Sequence, residues 1–444
     1  MKAFHAYDIR GVYNEEFNKE DVKKIGFFLP KLLKTNKVLV GRDMRTSSPE
    51  IFEYLCKGIT DSGADVYNIG LATTPMVYYA TAEKGFDASV MITASHNSKE
   101  YNGLKISKTN ALPVGYDTGL GELEKMMNTL PYSPAEKKGK IIELNVKEEY
   151  IQFLKNYLPN LSKLNVTIDC SNGMAGLLIK DITGDRPNYL FDKLDGTFPN
   201  HEANPLVPKN IKDLQKAVAE NKSDLGIIFD GDADRVMFVD ENGKFISPDL
   251  MIGLIADYYQ GKGGKFLQDI RTSKAVSEYI GDKFELNMWR VGRAYAATKL
   301  REIDGLFGGE LAGHYYFKEF FYSDSGILAA LILMDVIVKK KEEGLKLSQV
   351  ISNIERYANS GEINFKIEQK KEAMEAVKNF YIHKKQKPDA FFDFDGYRIE
   401  YSDWWFNIRP SNTEPYLRLI AEAKQESLLK EKVAEITDII NQYK

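Results

Sequence analysis

The run KVLVGRD at residues 37–43 sets the pattern for most of the chain. It joins a short apolar, β-branched stretch to polar turn residues, and a segment with helical spacing follows. ADVYNIG at 64–70 and ASVMITASHN at 88–97 repeat this order. Strands that alternate with helices favour parallel or mixed sheets with helices packed on their faces. We therefore expect an α/β fold.

The α/β pattern continues through the middle of the chain and changes near its end. LNVTIDCSNGMAG at 164–176 and DLGIIFDGDADR at 224–235 form a second set, and KFLQDI, LNMWRVG and GLFGGELAGHYYF form a third. YRIEYSD, WWFNIRP and YLRLIAEAK then lie close together between helical patterns, one of them at 369–383. The predicted fold is three α/β domains with mixed sheets plus a smaller C-terminal α+β domain.

A chain of 444 residues is too long for one hydrophobic core, so several domains are expected. Candidate joints are the segment before EEYIQFLKNYL, the hairpin VDENGKFIS and the stretch ANSGE, which also suggests a hinge. In the hairpin, Asn242-Gly243 predicts a type I′ turn. The predicted domains are residues 1–146, 147–244, 245–358 and 359–444.

Composition and charge narrow the class of partner. Sixty basic against 64 acidic residues leave a net charge of −4, with no long basic block for nucleic acid or an anionic membrane. The longest apolar stretch, Ile327 to Val338, is too short to span a bilayer and predicts a buried helix. Cys56 and Cys170 are the two cysteines, and the N-terminus lacks a secretory pattern. These features predict a cytoplasmic protein with a small-molecule substrate.

One candidate site surrounds Ser95, in the stretch ITASHNSKEYNGLKI at 92–106. A serine at the exposed end of a strand is where an α/β protein places reactive groups, although a turn hydroxyl bonded to backbone is its ordinary role. The neighbours favour chemistry, because His96 can donate or accept a proton and Lys105 can direct a cation at an anion on Ser95. The stretch has the composition of a phosphate site without a Walker or GxGxxG pattern.

The second candidate is FDGDADR at 229–235. Asp230, Asp232 and Asp234 follow an apolar run at alternate positions, so their oxygens can converge as hard ligands. A solvated acidic loop is the alternative, but three such carboxylates repel one another unless a cation neutralises them, which predicts a Mg²⁺ site. An EF-hand is excluded because Arg235 stands where that loop needs glycine, and VMFV at 236–239 is typical of a strand.

Two further polar clusters follow. In GGELAGHYYF at 308–317, Glu310 and His314 lie four residues apart between glycines, a pair suited either to sugar hydroxyls or to a structural hydrogen bond. NIRPSNTEPYLRL at 407–419 crowds guanidinium, hydroxyl and amide groups that suit a phosphate dianion, with an ordinary Pro/Asn/Ser turn as the alternative. Its candidate ligands are Arg409, Ser411, Asn412, Thr413 and Arg418.

Together these segments resemble the α-D-phosphohexomutase superfamily, specifically its bacterial phosphomannomutase/phosphoglucomutase branch. AYDIRG opens the chain, TASHN resembles the family's phosphoserine loop and DGDADR its metal loop. GELAGH resembles the sugar-specificity loop and RPSNTEP the phosphate-binding loop, in the family order over the whole chain. The resemblance implies three α/β domains of related topology and a smaller C-terminal α+β domain around a central cleft, each contributing one loop.

The resemblance also implies an activity. Phosphorylated Ser95 would donate to a hexose 1-phosphate or 6-phosphate, and the hexose 1,6-bisphosphate intermediate would reorient and return its other phosphate to Ser95. One Mg²⁺ per chain would be held by the Ser95 phosphate and the three aspartates of the metal loop. Arg10, Lys105 and Arg235 would be cations beside the transferring group, with His96 or Lys105 moving the proton. The implied substrate-binding residues are Tyr7, Arg271, Gly292, Arg293, Glu310, Ala312, His314, Arg409, Ser411, Asn412, Thr413 and Arg418.

Three positions depart from the family pattern. Ala312 replaces a frequent serine, which removes one hydroxyl contact, whereas Arg293 and Arg271 stand where histidine and lysine are common and keep or add positive charge. The sugar loop lacks the glutamine typical of phosphoglucosamine mutases, so mannose and glucose phosphates are the first expectation and phosphoglucosamine mutase an alternative. The expected oligomeric state is a monomer or a weak homodimer.

Two other readings compete with the mutase. FFDFDGYR at 391–398 resembles an aspartyl-phosphate motif of haloacid-dehalogenase type, with Asp393 as nucleophile and Asp395 as acid/base. Too little chain follows it for that fold, so we interpret it as a hairpin that turns at Asp395-Gly396. A non-catalytic sugar-phosphate-binding protein of the same fold is the second alternative.

Overall fold

The computed structural model describes residues 2–384, 387–411 and 416–444. Within these residues the strands form four sheets that follow one another along the chain. The first three sheets mix parallel and antiparallel pairs, and the pairs of the fourth are antiparallel. The predicted fold class is therefore confirmed, while the domain limits at residues 146, 244 and 358 stay predictions.

The first sheet contains the run that opens the sequence analysis. Its strands are β1 (Ile9–Val12), β2 (Lys37–Arg42), β3 (Asp65–Leu71), β4 (Ala88–Ile92), β5 (Tyr101–Lys108), β6 (Leu112–Pro113) and β7 (Ile141–Glu143), with helices α1 (Lys19–Leu33), α2 (Ser48–Asp61), α3 (Thr74–Glu83) and α4 (Leu120–Thr129). The order is β1-β5-β4-β2-β3-β7, with β6 beside β5. Because β2 and β4 are parallel neighbours, the segments that follow them leave the sheet side by side.

The second sheet carries the acidic loop. Helices α5 (Lys147–Lys155), α6 (Ile179–Thr183) and α7 (Lys212–Asn221) accompany strands β8 (Val166–Asp169), β9 (Asn188–Leu190), β10 (Leu225–Phe229), β11 (Val236–Asp240) and β12 (Phe245–Ile246). The order is β12-β11-β10-β8-β9, with β10 parallel to β8 and antiparallel to β11. The acidic residues therefore occupy the connection between two buried, antiparallel strands.

The third sheet has the order β14-β13-β15-β16-β17. Its elements are α8 (Leu250–Tyr258), β13 (Lys265–Asp269), α9 (Lys274–Ile280), β14 (Glu285–Trp289), α10 (Arg293–Ile303), β15 (Phe307–Gly309), β16 (Tyr315–Phe317), β17 (Ser323–Asp324), α11 (Gly326–Glu342) and α12 (Leu347–Ile354). The turn between β15 and β16 holds Glu310 and His314, so both candidate residues lie at one end of this sheet.

The fourth sheet has the order β18-β23-β22-β21-β20, with β19 beside β23. It consists of β18 (Ala358–Asn359), β19 (Ile363–Lys366), β20 (Ala390–Phe392), β21 (Tyr397–Glu400), β22 (Trp404–Pro410) and β23 (Tyr416–Ala423), with α13 (Lys370–Asn379) and α14 (Glu426–Asn441). A π-helical turn, Phe380–Lys384, extends α13. The interpretation of FFDFDGYR as a hairpin is confirmed, because β20 and β21 pair antiparallel across that turn.

Helices cover both faces of the first sheet. Along β2, Leu39 packs with Val77 of α3, whereas Val38 and Val40 pack in a second apolar cluster with Leu55 of α2. Successive strand residues point to opposite faces, so this alternation is what a sheet between two helical layers requires.

The apolar stretch at 327–338 is a buried helix, as predicted. Twelve residues of α11 are buried, in one cluster with Leu154 of α5 and Leu254 of α8. Truncating a central member such as Leu331 to alanine would cost about 2–5 kcal/mol of stability. In the parts of the chain that the structure describes, no helix has the length and apolar character needed to cross a membrane.

The predicted type I′ turn at Asn242-Gly243 is wrong, although the hairpin between β11 and β12 exists. A type I′ turn needs positive φ at both central residues, and here Gly243 has a φ of 79° while Asn242 keeps an ordinary negative φ. The reason is local, because the Asp240 carboxylate accepts from the backbone N–H groups of Asn242 and Lys244 and sets a longer turn.

Candidate active site

Ser95 lies just beyond β4 in a left-handed conformation. Its φ is 53°, and the Thr93 hydroxyl accepts its backbone N–H at 2.9 Å, so a side chain bond holds the turn. The Ser95 hydroxyl donates to Asp230 Oδ2 at 2.7 Å. A Cβ on Gly231 would lie 2.4 Å from the Ser95 carbonyl oxygen, so only glycine permits this approach. The serine of the first sheet thus meets the acidic loop of the second.

Arg45 fixes the serine loop. One terminal nitrogen of its guanidinium donates to the carbonyls of Ser98 and Tyr101 at 2.6 and 3.0 Å, and the other donates to Ser95 and Asn97 at 2.9 and 2.7 Å. The Asp43 carboxylate lies 3.2 Å from Nε and is buried with it. Four carbonyls held by one buried cation give a loop with little freedom. Sequence patterns did not indicate Arg45, although a polar residue just past the predicted strand at 37–43, three positions after β2 ends at Arg42, is a usable signal.

The three aspartates are fully buried, with 0% exposure each. Lys105 Nζ donates to Asp232 Oδ2 at 2.6 Å and also to Asp234, and the Thr74 hydroxyl donates to Asp232. Burial raises the pKa of Asp230 well above its usual value, and repulsion from Asp234 and Asp232 adds to the effect. Burial alone would also raise the pKa of Asp234, but Lys105 and His314 offset this and hold it below its usual value.

This triad fits a divalent metal. One oxygen from each of the three aspartates lies within 4.8 Å of the others. Asp232 Oδ1 and Asp234 Oδ1 are buried and accept no hydrogen bond. Uncompensated carboxylate oxygens in the interior are costly, and hard oxygen donors are the set that Mg²⁺ prefers. Lys105 supplies part of the compensating charge from the first sheet.

His96, beside the serine, and Lys105, on the acidic loop, differ in protonation state. His96 Nδ1 lies 3.4 Å from the Ser95 hydroxyl oxygen. Burial lowers the pKa of His96 well below its usual value, and the nearby cations Arg235 and Arg10 act in the same direction. Burial opposes the charge on Lys105 as well, but Asp232 and Asp234 raise its pKa above the usual range. A neutral imidazole therefore lies next to the Ser95 hydroxyl, and an ammonium group lies on the aspartates of the loop that this hydroxyl contacts.

Arg10 and Arg235, the other predicted cations of this site, are held by hydrogen bonds and ion pairs. Arg10 donates to Asn97 Oδ1 at 2.8 Å and bonds the carboxylate of Asp8. Arg235 Nε donates to His314 Nε2 at 2.9 Å and lies 3.9 Å from Asp230 Oδ2. The two residues adjoin because Arg235 and His314 form an isolated antiparallel β-bridge.

Asp324 fixes the orientation of the His314 ring through a hydrogen bond to Nδ1. Since His314 Nε2 accepts from Arg235, its Nδ1 carries the proton and donates to Asp324 Oδ2 at 2.6 Å. Arg293 Nε donates to the other oxygen of Asp324 at 3.0 Å, and its guanidinium lies 3.7 Å from the Tyr78 ring centroid. Burial would raise the pKa of Asp324, but His314 and Arg293 lower it to about 2. Sequence patterns did not indicate Asp324, which falls in an N-terminal cap region of α11.

A second group of predicted residues surrounds Arg271. This arginine donates through Nε and Nη2 to the two oxygens of Asp269, at 3.1 and 2.7 Å. Glu310 accepts from the Tyr316 hydroxyl at 2.8 Å, and burial raises its pKa. Ala312 is half-buried in the turn that the Glu310 N–H closes onto the His314 carbonyl at 2.9 Å.

Tyr7, Gly292 and Arg409 extend this second group. The Tyr7 hydroxyl donates to the Val291 carbonyl at 3.1 Å, and Gly292 lies against the Tyr7 ring. Burial and then the proximity of Arg271 lower the pKa of Arg409, so the two guanidinium groups share one region.

The remaining predicted residues belong to the last loop. Arg418 lies opposite Arg409 across β22 and β23 and is 3.5 Å from Glu362. The Ser411 N–H donates to the Tyr416 carbonyl at 2.8 Å. Asn412 and Thr413 lie outside the described residues.

Four domain families match this chain in succession. They are described as phosphoglucomutase/phosphomannomutase α/β/α domain I at residues 1–131, domain II at 148–243, domain III at 247–357 and the C-terminal domain at 362–439. The motif resemblance is thereby confirmed.

Whole-chain relatives agree with these matches. A phosphomannomutase of Vibrio cholerae is 34% identical over 460 residues, covering 99% of this chain and 98% of the relative. A phosphomannomutase of Methanocaldococcus jannaschii is 35% identical over 449 residues, covering 99% and 98%. The crystal structure of a phosphoglucomutase/phosphomannomutase family protein from Burkholderia thailandensis superposes with a TM-score of 0.89 at 26% identity, covering 100% and 96%. The chain therefore belongs to the α-D-phosphohexomutase superfamily, as a mutase-class enzyme built from the four phosphoglucomutase/phosphomannomutase domains.

Proposed function

We propose that this enzyme interconverts the 1-phosphate and 6-phosphate of a hexose, mannose or glucose or both, with Ser95 as the phosphoryl carrier. The observation that carries the proposal is the buried serine hydroxyl 2.7 Å from Asp230 and 3.4 Å from His96 Nδ1, with the Lys105 ammonium group bound to the other two aspartates of the same loop. Two further cations are fixed nearby, Arg10 on Asn97 of the serine loop and Arg235 beside Asp230 of the acidic loop. Positioned cations around one oxygen are what phosphoryl transfer requires.

In the proposed cycle, the bond between phosphorus and the Ser95 oxygen breaks as a bond to a sugar hydroxyl forms. The hydroxyl proton passes to neutral His96, which can return it to the Ser95 oxygen that the phosphoryl group has left. Lys105 and Arg235 balance the charge of the phosphoryl oxygens. When bound, Mg²⁺ held by the Ser95 phosphate and the three aspartates would supply further charge neutralisation. The hexose 1,6-bisphosphate then turns end for end, and its second phosphate restores phosphoserine.

The second group of residues would hold the end of the substrate that does not react. Arg271 and Arg409 share one buried region and suit a phosphate dianion, with Ser411, Asn412, Thr413 and Arg418 on the neighbouring loop. Glu310 and Tyr7 face the sugar hydroxyls in this proposal, together with the segments at Gly292 and Ala312. His314 and Arg293 instead act as supports, since their polar groups already bind Arg235 and Asp324.

The proposed function is tested by looking for phosphate on Ser95 and by removing the Ser95 hydroxyl. Mass spectrometry of the purified protein is expected to find phosphate on the peptide that contains Ser95, and Ser95→Ala is expected to lose turnover of hexose 1-phosphates. Full mutase activity of Ser95→Ala, with Mg²⁺ and a trace of sugar bisphosphate present, would refute the phosphoserine cycle. An unphosphorylated wild type without turnover would support a non-catalytic sugar-phosphate-binding protein.

Substrate choice is decided by comparing kcat/KM for the 1-phosphates of mannose, glucose and glucosamine. Highest efficiency with glucosamine 1-phosphate would instead make the enzyme a phosphoglucosamine mutase. Cytoplasmic location and a monomeric or weakly dimeric state stay predictions from the sequence.

A further inference from the structure

Asp395 occupies the turn between β20 and β21 and reaches two other elements. Its Oδ2 accepts the backbone N–H of Val291 at 2.9 Å. Its Oδ1 lies 3.5 Å from Arg409 Nε. One carboxylate therefore joins the last sheet to the segment between β14 and α10, and it does so beside the arginine that we assign to substrate phosphate.

Val291 is bound at its carbonyl as well as at its N–H. The carbonyl accepts the Tyr7 hydroxyl at 3.1 Å, so residues of the first, third and fourth sheet regions meet at this one residue. Gly292 has a φ of 122°, and a Cβ there would lie 2.8 Å from Tyr7 Cζ. Only glycine lets the Tyr7 ring approach this segment.

The hairpin turn is seated on this segment by more than one bond. The Phe394 ring stacks on Trp289 at the end of β14, with 5.4 Å between centroids and 26° between planes. Gly396 has a φ of 70°, and a Cβ there would lie 2.2 Å from the Ile408 carbonyl oxygen and 2.6 Å from Arg409 Cβ. The turn thus packs directly against the strand that carries Arg409.

The contact between Asp395 and Arg409 matters because Arg409 lies in a buried region of positive charge. The side chain of Arg409 is 4% exposed, and Arg271 shares its surroundings, so two buried guanidinium groups repel each other. Asp269 balances Arg271 through two hydrogen bonds, whereas Asp395 faces Arg409 at a longer distance from Nε. Such an arrangement holds Arg409 in place while leaving its terminal nitrogens to be aimed elsewhere.

We propose that Asp395 is a positioning residue for phosphate recognition, which holds the Val291 peptide with one oxygen and orients Arg409 toward the region of Arg271 with the other. The inference rests on the proposed function, because it takes Arg409 as a ligand of the sugar-phosphate dianion. Asp395 takes no part in proton transfer in this proposal and touches no reacting atom. Its effect is expected in the affinity for the phosphate end of the substrate.

Three variants test this role. Asp395→Ala is expected to raise the KM for mannose 1-phosphate about tenfold, because a charge-assisted contact is lost and Arg409 is released, with kcat changed less than about twofold. Asp395→Asn keeps an acceptor for the Val291 N–H and is expected to raise KM only about threefold. Asp393→Ala is the matched control, since Asp393 is an exposed aspartate of the same turn, and it is expected to behave as wild type.

A double-mutant cycle shows whether Asp395 acts through Arg409. Arg409→Lys combined with Asp395→Asn is expected to raise KM less than the product of the two single effects, because both remove one contact. Equal KM for Asp395→Ala and Asp393→Ala, or strictly multiplicative effects in the cycle, would overturn the inference. If Asp395→Ala does not fold, the isosteric Asp395→Asn carries the same comparison.

Binding separates this inference from the proposed function. Calorimetric titration of mannose 1-phosphate into wild type, Asp395→Ala and Asp393→Ala needs no turnover. Weaker binding in Asp395→Ala alone supports the positioning role even if the wild type shows no mutase activity, whereas equal binding in all three proteins rejects it.

Discussion

Two buried clusters of carboxylates in this enzyme have opposite electrostatic surroundings. The metal loop holds Asp230, Asp232 and Asp234 next to the ammonium group of Lys105, with two carboxylate oxygens that accept no hydrogen bond. The other cluster, at the contact of the third and fourth sheets, centres on Glu422 with Asp249 nearby.

The hydrogen bonds to Glu422 come from neutral groups. Its Oε2 accepts from the Ser273 hydroxyl at 2.6 Å and from Trp405 Nε1 at 2.8 Å, and its Oε1 accepts from Asn359 Nδ2 at 2.7 Å. Burial, together with Asp249, raises the pKa of Glu422 to about 7, and these donors only partly offset it.

Similar burial therefore has different results in the two clusters. In the metal loop the pKa of Asp230 is raised. Despite burial, Lys105 and His314 keep the pKa of Asp234 below its usual value, so this carboxylate stays charged for a metal. Glu422, whose hydrogen bonds come from neutral donors, takes up a proton near neutral pH.

The largest fall in kcat is expected when an aspartate of the metal loop loses its carboxylate. Asp230→Asn removes the carboxylate that accepts from Ser95, and we expect kcat with Mg²⁺ to fall about 10³-fold, as for loss of a preorganised electrostatic group. Glu422→Gln is the matched change in the other cluster and is expected to keep kcat within about twofold of wild type. Steady-state assays of both variants check this, and comparable losses would show that the two clusters do not differ in role.

Removal of the metal is expected to lower the stability of the folded enzyme. Mg²⁺ at one hundred times its Kd is expected to stabilise the folded enzyme by about 2.7 kcal/mol, since it binds the folded state. The gain is expected to shrink at low pH, because protons compete for Asp230, whose pKa burial raises. Thermal unfolding with Mg²⁺ and with EDTA measures it. The same gain in Asp230→Asn would argue against the triad as the site.

A smaller fall in kcat is expected when Asp324, which supports Arg235 through His314, is changed. Asp324→Asn weakens the bond that fixes the proton on His314 Nδ1 and so loosens Arg235, and we expect kcat to fall about 10- to 100-fold. Asp335→Asn, on the nearby helix α11, serves as control and is expected to change nothing. Unchanged kcat in Asp324→Asn would remove Asp324 and His314 from the proposed support of Arg235.

The smallest expected effect is the pH dependence that Glu422 gives to the stability of the folded enzyme. The usual pKa of a glutamate is 4.5, and the folded value is raised to about 7, so between these pH values the folded state holds a proton that the unfolded state has released. The contribution of Glu422 to the free energy of unfolding is therefore greatest below about pH 4.5, and it is lost as the pH rises through about 7.

Glu422→Gln is expected to remove that loss, so its free energy of unfolding should gain about 2–3 kcal/mol relative to that of wild type on going from pH 5 to pH 8. Urea unfolding of both proteins at the two pH values measures the difference. A constant difference at both pH values would show that Glu422 does not change protonation in this range.

The sequence by itself determined the local patterns. Apolar runs followed by turns predicted the strands at 37–43, 88–97 and 224–235, and alternate aspartates after a buried run predicted ligands that converge, because both signals arise from residues close together in the chain. The order of five motifs also predicted the superfamily.

Only the tertiary structure decided which groups support those motifs. Arg45 reaches the serine loop from about 50 residues away, Asp324 reaches Arg235 through His314, and Asp395 joins Val291 to Arg409. Arg45 and Asp324 are common polar types in unremarkable stretches, and the stretch of Asp395 suggested a different chemistry. The roles of all three come from sheets that pack together. Burial then fixes the charge states, so the difference between the metal loop and Glu422 follows from neighbours distant in sequence.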